Sequence, residues 1–308
     1  MKLCYALRRG VFYPSAGDGF GEMPPRAERR HYLPVVREMG FAAVEVPVEE
    51  DSNEQSAHEL AAELHDAGLD IGCVRGGGAL AHPLVGEKSR GRLEAAIRYA
   101  GWVGASVVNT AMVSPPTTHP DAPGFGRQGE RVSQGASRSA SEADFLRTAE
   151  HLQKTGRLAA EVGVKISIEV HQGSIADNSA ATLHLLDLIA QDGVTNVGAN
   201  PDLGNIYWQY ESPEERAEAA IVALAPRSVY WHCKNLKRIH IPEHHRAYFQ
   251  RVPLPDGDLD YRFAIAAMLD AGYDGYLAIE GAREGDQLSQ DRRGVDYVCG
   301  LMRELGGA

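Results

Sequence analysis

The chain has 308 residues, 44% of them hydrophobic, and a formal charge of −11 that disfavours nucleic-acid and anionic-membrane partners, because phosphate would be repelled. Four scattered cysteines without a CxxC pair indicate reduced thiols in a cytoplasmic protein. No apolar run approaches the ~20 residues that cross a bilayer.

Eight short apolar or β-branched runs predict strands at 2–7, 42–47, 70–76, 105–113, 164–171, 196–202, 228–235 and 275–281. Amphipathic stretches between them predict helices near 26–39, 53–67, 87–100, 142–162 and 179–192. Gly40, Gly68 and Gly163 follow three of these stretches as C-terminal caps, and Gly101 or Gly104 follows a fourth. Ser-Pro-Glu-Glu at 212–215 predicts a further helix start.

Strands that alternate with helices eight times predict parallel βαβ units. A doubly wound sheet is the rival fold, but no GxGxxG follows the first strand. The sequence therefore predicts an α/β fold in which residues 1–308 form a single (β/α)8 TIM barrel and one catalytic domain.

Four segments each place one metal-type ligand at the end of a predicted strand: Glu169 in KISIEVHQG, Asp202 in NVGANPDLGN, His232 in SVYWHCKN and Glu280 in GYLAIEG. Active sites of TIM barrels lie at the carboxyl ends of the strands, so these side chains should converge. Oxygen-rich ligands with one imidazole suit a catalytic divalent ion, and the lack of cysteine argues against a closed structural zinc site. Any one of these residues alone would more often be an ordinary polar strand end.

Further polar residues flank these ligands. Alternation along the strands places His171 beside Glu169 and Lys234 beside His232, as candidate substrate contacts. Glu45 and Arg75 end the second and third strands, where they would either bind substrate hydroxyls or form simple strand-end ion pairs.

From Lys165 to Glu280 the chain resembles the xylose-isomerase-like TIM barrels, a sugar phosphate isomerase/epimerase family that includes ketose 3-epimerases, inosose dehydratases and endonuclease IV nucleases. The segments that carry the resemblance are IEVHQGS, PDLGN, WHCKN and VPLPDGDLDYRFAIAAMLDAGYDGYLAIEG. The resemblance implies that Glu169, Asp202, His232 and Glu280 hold one divalent metal and that the two glutamates form an acid/base pair. It also implies that Arg238, six residues after the histidine, contacts substrate.

The chain departs from the family patterns at several positions, and these departures limit which activities and how many metal ions the resemblance implies. The epimerases have a histidine three residues after the sixth-strand aspartate, where this chain has Asn205, another candidate substrate contact. Val170 and Asn235 stand where Asn and Asp are common. The three-zinc nucleases use extra histidines, whereas the fourth strand here offers Asn109, so one metal is expected rather than three.

Chemistry leads to the same expectation. A divalent ion that chelates a carbonyl and the adjacent hydroxyl stabilises an enediolate, while metal-bound or adjacent carboxylates move the proton. We therefore expect a metal-dependent isomerase or epimerase acting on a ketose or related sugar. A lyase or dehydratase acting on an inosose or 3-keto glycoside is the alternative. Mn²⁺ is the first choice of metal, with Mg²⁺, Co²⁺ or Zn²⁺ as alternatives, and a homo- or hetero-oligomer is left open.

Two long connections carry separate expectations. The segment 113–138 is longer than a barrel connection requires, which favours a lid or a subunit contact over a surface loop. The segment 239–258 carries His240, His244 and His245, and a structured loop with surface histidines is favoured over a second metal site.

Overall fold

The computed structural model describes residues 1–6, 26–48, 51–113, 136–208, 215–244, 246–281 and 285–306. Within these ranges eight parallel strands and intervening helices form the predicted (β/α)8 barrel. The barrel strands are β1 (Lys2–Ala6), β2 (Ala43–Pro47), β3 (Asp70–Arg75), β4 (Val107–Thr110), β5 (Lys165–Glu169), β6 (Val197–Asn200), β7 (Trp231–Cys233) and β10 (Tyr276–Ile279). The helices are α1 (Arg26–Met39), α2 (Glu54–Asp66), α3 (Gly86–Val103), α4 (Glu142–Glu161), α5 (Ser179–Ala190), α6 (Leu203–Tyr207), α7 (Ala217–Leu224), α8 (Tyr261–Asp270) and α9 (Gln287–Glu304).

The strands follow one another around the barrel in the order β6, β5, β4, β3, β2, β1, β10, β7. Between the first and last of these, the backbone N–H of Val229 donates to the carbonyl of Ala199 at 3.0 Å. The backbone N–H of His232 also donates to Oδ1 of Asn200 at 2.7 Å. These bonds bring β6 beside β7, so the sheet is nearly closed into a barrel.

Local signals in the sequence set most helix ends. Asn53 caps α2 through a reciprocal hydrogen-bond pair with Ser56. The predicted C-terminal glycines Gly40, Gly68, Gly104 and Gly163 all have positive φ, a conformation that other residues rarely adopt. Those helix ends are therefore confirmed, whereas the predicted start at 212–215 lies outside the described residues except for Glu215.

Apolar packing occurs on both sides of the barrel wall. Both faces of parallel barrel strands are buried, so each face carries apolar side chains. The larger core lies on the outer face, between strands and helices. A smaller cluster combines Tyr230 with small side chains: Cys4, Ala6, Ala43, Cys73, Val107 and Ala278. The fully buried Tyr230 directs its hydroxyl to Oε2 of Glu45 at 2.8 Å, which links this cluster to the polar site.

A two-stranded antiparallel hairpin follows β7 and consists of β8 (Asn235–Ile241) and β9 (Arg246–Val252). The predicted structured loop over 239–258 is thus in large part a hairpin, because backbone pairing continues from Asn235–Val252 to Ile241–Arg246. His240 is exposed, as expected of a surface histidine, and His245 lies outside the described residues. Among the described side chains of this segment, that of His240 joins no metal-type cluster.

The long segment after β4 is described only at its ends, because residues 114–135 lie outside the described ranges. Val113 forms an antiparallel bridge with Ser174, and the backbone N–H of Ser137 donates to Oδ2 of Asp177 at 3.2 Å. Both ends thus contact the connection between β5 and α5, and the lid or subunit role stays a prediction. None of the described helices has the length and apolarity to cross a membrane.

Candidate metal centre

Four acidic and imidazole side chains converge at the carboxyl end of the barrel. Glu169 ends β5, Asp202 precedes α6, His232 lies in β7 and Glu280 directly follows β10. One ligand atom from each lies within 4.8 Å of every other, and all four residues are buried. Because β5, β6, β7 and β10 are neighbours around the barrel, the ligands form one arc with Glu169 and Glu280 at its ends.

The imidazole of His232 has a defined orientation. Its Nε2 lies 2.6 Å from Oε2 of Glu45. Its Nδ1 lies 3.3 Å from both Oε2 of Glu169 and Oε1 of Glu280. Burial opposes protonation, but the charges of Glu45, Glu169 and Glu280 outweigh it and raise the pKa of His232 to about 10. The carboxylates thus strongly favour a positive charge at Nδ1 of His232.

Lys234 supplies part of the positive charge that these carboxylates favour. Its Nζ lies 2.6 Å from Oδ2 of Asp202 and 3.2 Å from Oε2 of Glu280. The lysine stem passes over Gly204, where a Cβ atom would lie only 2.4 Å from Cγ of Lys234. Burial, opposed by the charge of Lys234, raises the pKa of Asp202. The glycine of PDLGN therefore gives the lysine its room beside the ligands.

A layer of amides holds the Glu169 carboxylate. Oε1 accepts from Nδ2 of Asn205 at 3.0 Å and Oε2 accepts from Nδ2 of Asn109 at 2.8 Å. Oδ1 of Asn109 in turn accepts from Ser167 at 2.6 Å and from Asn200 at 3.0 Å. Neither Asn109 nor Asn200 was predicted to belong to the site. The available signal was their position at the ends of the apolar runs VVNT and VGAN.

The remaining sequence-predicted contacts lie in different surroundings. Glu45 is fully buried, and its Oε1 lies 3.2 Å from Nε of Arg75, so these two residues form an ion pair next to His232. His171 is partly exposed beside the site, its Nδ1 lies 2.8 Å from the carbonyl of Gln172, and burial lowers its pKa. Arg238 lies on β8 with a partly exposed side chain, and its backbone N–H donates to Asp258 at 2.8 Å.

One basic residue at the site was not predicted from the sequence. Arg251, on β9, places Nη1 3.5 Å from Oε2 of Glu280, and its side chain is only 10% exposed. The available signal was the alternation of side chains along β9, which puts Arg251 and the exposed Gln250 on opposite faces of the hairpin. Two positively charged side chains, those of Lys234 and Arg251, thus lie close to the carboxylate of Glu280.

The donor set fits a divalent ion. Three buried carboxylates and one imidazole nitrogen converge, and hard divalent cations prefer such oxygen-rich sites. The second nitrogen of His232 is held by a carboxylate, which is how protein sites commonly orient a ligating histidine. The cluster of Glu169, Asp202, His232 and Glu280 could therefore bind a metal.

Solved structures of other barrels are similar to this chain in fold. A xylose isomerase-like TIM barrel protein from Mycobacterium smegmatis, in complex with magnesium, has a TM-score of 0.77 and 21% identity, over 99% of this chain and 97% of that chain. An L-ribulose 3-epimerase has a TM-score of 0.72 and 16% identity over 99% and 96% of the two chains. A mannonate dehydratase from Streptococcus suis serotype 2 has a TM-score of 0.69 and 18% identity over the same shares.

No curated protein matches the chain in sequence. The low identities to the solved structures establish a common fold. A family model described as xylose isomerase-like TIM barrel matches residues 33–304. Because that range includes most of the chain, the protein belongs to the xylose isomerase-like TIM barrel family.

Proposed function

We propose that the protein is a divalent-metal-dependent sugar isomerase or epimerase that works through an enediolate of a ketose or related carbonyl sugar. The observation that carries this proposal is the convergence of Glu169, Asp202, His232 and Glu280 in one buried site. The presence of epimerases among structures with the same fold supports it.

The four ligand residues would hold the ion through three carboxylate oxygens and Nδ1 of His232. When bound, a divalent ion would polarise a substrate carbonyl and the adjacent hydroxyl and stabilise the negative charge that develops on them. Mn²⁺ is the first choice because this donor set is mostly oxygen with one nitrogen, and Mg²⁺, Co²⁺ and Zn²⁺ are the alternatives to test.

The protein groups provide the proton transfer. Glu169 and Glu280 stand at the two ends of the ligand arc, so one carboxylate can remove a proton from carbon while the other returns a proton from a different direction. Return to the same carbon gives epimerisation, and return to its neighbour gives isomerisation. Lys234 lies close enough to Glu280 to stabilise its ionised form.

A lyase or dehydratase acting on an oxidised sugar or cyclitol is the second candidate, and Asn205 favours it. The amide nitrogen of Asn205 contacts Glu169, Asp202 and the carbonyl of Val170 at distances of 2.9 to 3.0 Å. That amide is engaged by the site itself, whereas the ketose epimerases have a histidine here. Loss of a β-substituent from the same enediolate would give elimination instead of epimerisation.

A metal-loaded screen over ketoses, inososes and 3-keto glycosides tests the proposal. Exchange of carbon-bound hydrogen for deuterium reports the shared proton-removal step, and product identity separates epimerisation, isomerisation and elimination. We expect exchange that needs both metal and substrate carbonyl. Product formation without any exchange, or equal activity after metal removal, would contradict the enediolate mechanism.

A further inference from the structure

One basic side chain of the site has unused hydrogen-bonding capacity. Arg251 is paired with Leu236 across the hairpin, and Leu236 is fully buried. The next pair along the hairpin, Gln250 with Lys237, is exposed. The alternation of the two strands therefore turns Arg251 inward, toward Glu280.

The contact with Glu280 does not satisfy the guanidinium. Nη1 lies 3.5 Å from Oε2 of Glu280, an oxygen that already accepts from Lys234. Within the described part of the chain, Nε and Nη1 of Arg251 are both buried and make no hydrogen bond. Buried N–H groups of a cation are costly without acceptors, so these two nitrogens are suited to an incoming anion.

The formal charge of the buried site supports the same reading. The carboxylates of Glu45 and the three ligand acids are opposed by Arg75, Lys234 and Arg251, which leaves one negative charge among these seven side chains. A divalent ion bound to the site, with His232 neutral, would change the net charge of these groups to one positive. A substrate with a single negative charge would neutralise the loaded site, whereas a dianionic phosphate would exceed it.

We propose that Arg251 binds a carboxylate group of the substrate, so that the substrate class is a sugar acid or its keto form rather than a neutral sugar. This inference rests on the proposed function, because the charge balance includes the divalent ion. The planar guanidinium matches a carboxylate in shape and can donate two parallel hydrogen bonds. Its closeness to Glu280 places the carboxylate next to the carbons that react.

Equilibrium binding of unreacted probes tests the inference. Gluconate, mannonate and galactonate would be titrated calorimetrically into the metal-loaded protein, beside the matching neutral polyols glucitol, mannitol and galactitol. We expect at least one acid to bind about 10²-fold more tightly than its polyol, the size of a charge-assisted hydrogen-bond pair. Arg251→Met should remove that preference, and Arg251→Lys should keep only part of it.

Matched variants separate this role from other causes. Lys237→Met removes an exposed cation from the opposite face of the same hairpin and should leave the preference unchanged. Chelation of the metal by the acid would survive in Arg251→Met and would thus be recognised. Equal binding of acids and polyols by the native protein overturns the inference, as does a preference that persists in Arg251→Met or is lost only in Arg238→Met.

The outcomes also distinguish this inference from the proposed function. Deuterium exchange on neutral ketoses without a preference for acids would leave the isomerase proposal standing and reject the role of Arg251. Acid binding that depends on Arg251, in a protein that catalyses neither exchange nor elimination, would support the role of Arg251 and reject the isomerase proposal. Metal content of Arg251→Met should equal that of the native protein, and a loss of metal would instead assign Arg251 to positioning Glu280.

Discussion

Glu45 and His232 meet inside the barrel, with 2.6 Å between Oε2 of the carboxylate and Nε2 of the imidazole. They come from β2 and β7, which are not neighbours in the sheet. Tyr230 donates to the same carboxylate oxygen and Arg75 lies against the other one. The carboxylate is therefore held on both sides, and it directs Nδ1 of His232 toward Glu169 and Glu280.

Replacing this carboxylate should weaken metal binding without removing a ligand. In Glu45→Gln we expect the metal dissociation constant to rise about 10- to 100-fold, because the imidazole loses its fixed orientation and part of its basicity. Competition against a fluorescent chelator would measure it. Tyr230→Phe keeps the carboxylate and should have a smaller effect, and unchanged affinity in Glu45→Gln would show that the barrel wall alone orients His232.

Removing a ligand carboxylate should abolish the bound metal. We expect the native protein to bind one equivalent of divalent ion and Asp202→Ala to lose it, because the variant lacks a ligand oxygen and leaves Lys234 without its closest partner. Metal analysis after dialysis is the measurement. Asp258→Ala is the matched control, since Asp258 pairs with Lys237 on the hairpin surface. Native stoichiometry in Asp202→Ala would remove the basis for this metal centre.

The sequence predicts the ligand arc but not the contacts around it. Glu169, Asp202, His232 and Glu280 follow apolar runs, and barrel geometry alone brings such strand ends together. The pairing of Glu45 with His232 depends on side chains that meet across the barrel interior, which local patterns do not report. Arg251 was missed for a related reason, because alternation separates the two faces of a hairpin without showing which face turns toward the barrel.

The raised pKa of His232 predicts how stability depends on pH. In the metal-free protein the folded state keeps a proton up to about pH 10, whereas an unfolded histidine releases it near 6.5. The resulting stabilisation is complete below about pH 6.5 and is lost as pH rises through about 10. We therefore expect the melting temperature of chelator-treated protein to fall between those values.

Thermal unfolding at several pH values with and without Mg²⁺ would check this. A bound divalent ion requires a neutral imidazole, so the metal-loaded protein should lose less stability over the same range. His232→Gln cannot take up the proton and should also show a shallower decline when metal-free. Parallel declines in the native protein and in His232→Gln would assign the pH dependence to other groups.

Glu169 and Glu280 should carry protons as well as metal. A carboxylate-to-amide change keeps an oxygen donor and removes the base, so Glu280→Gln should retain most of the metal while exchange of carbon-bound hydrogen falls by ~10²-fold or more. Metal content and deuterium exchange would be measured on the same samples. A ligand with only a structural role would instead show residual exchange in proportion to the metal retained. Full exchange in both Glu→Gln variants with metal bound would transfer the role of base to Lys234 or His171, the other proton carriers beside the ligands.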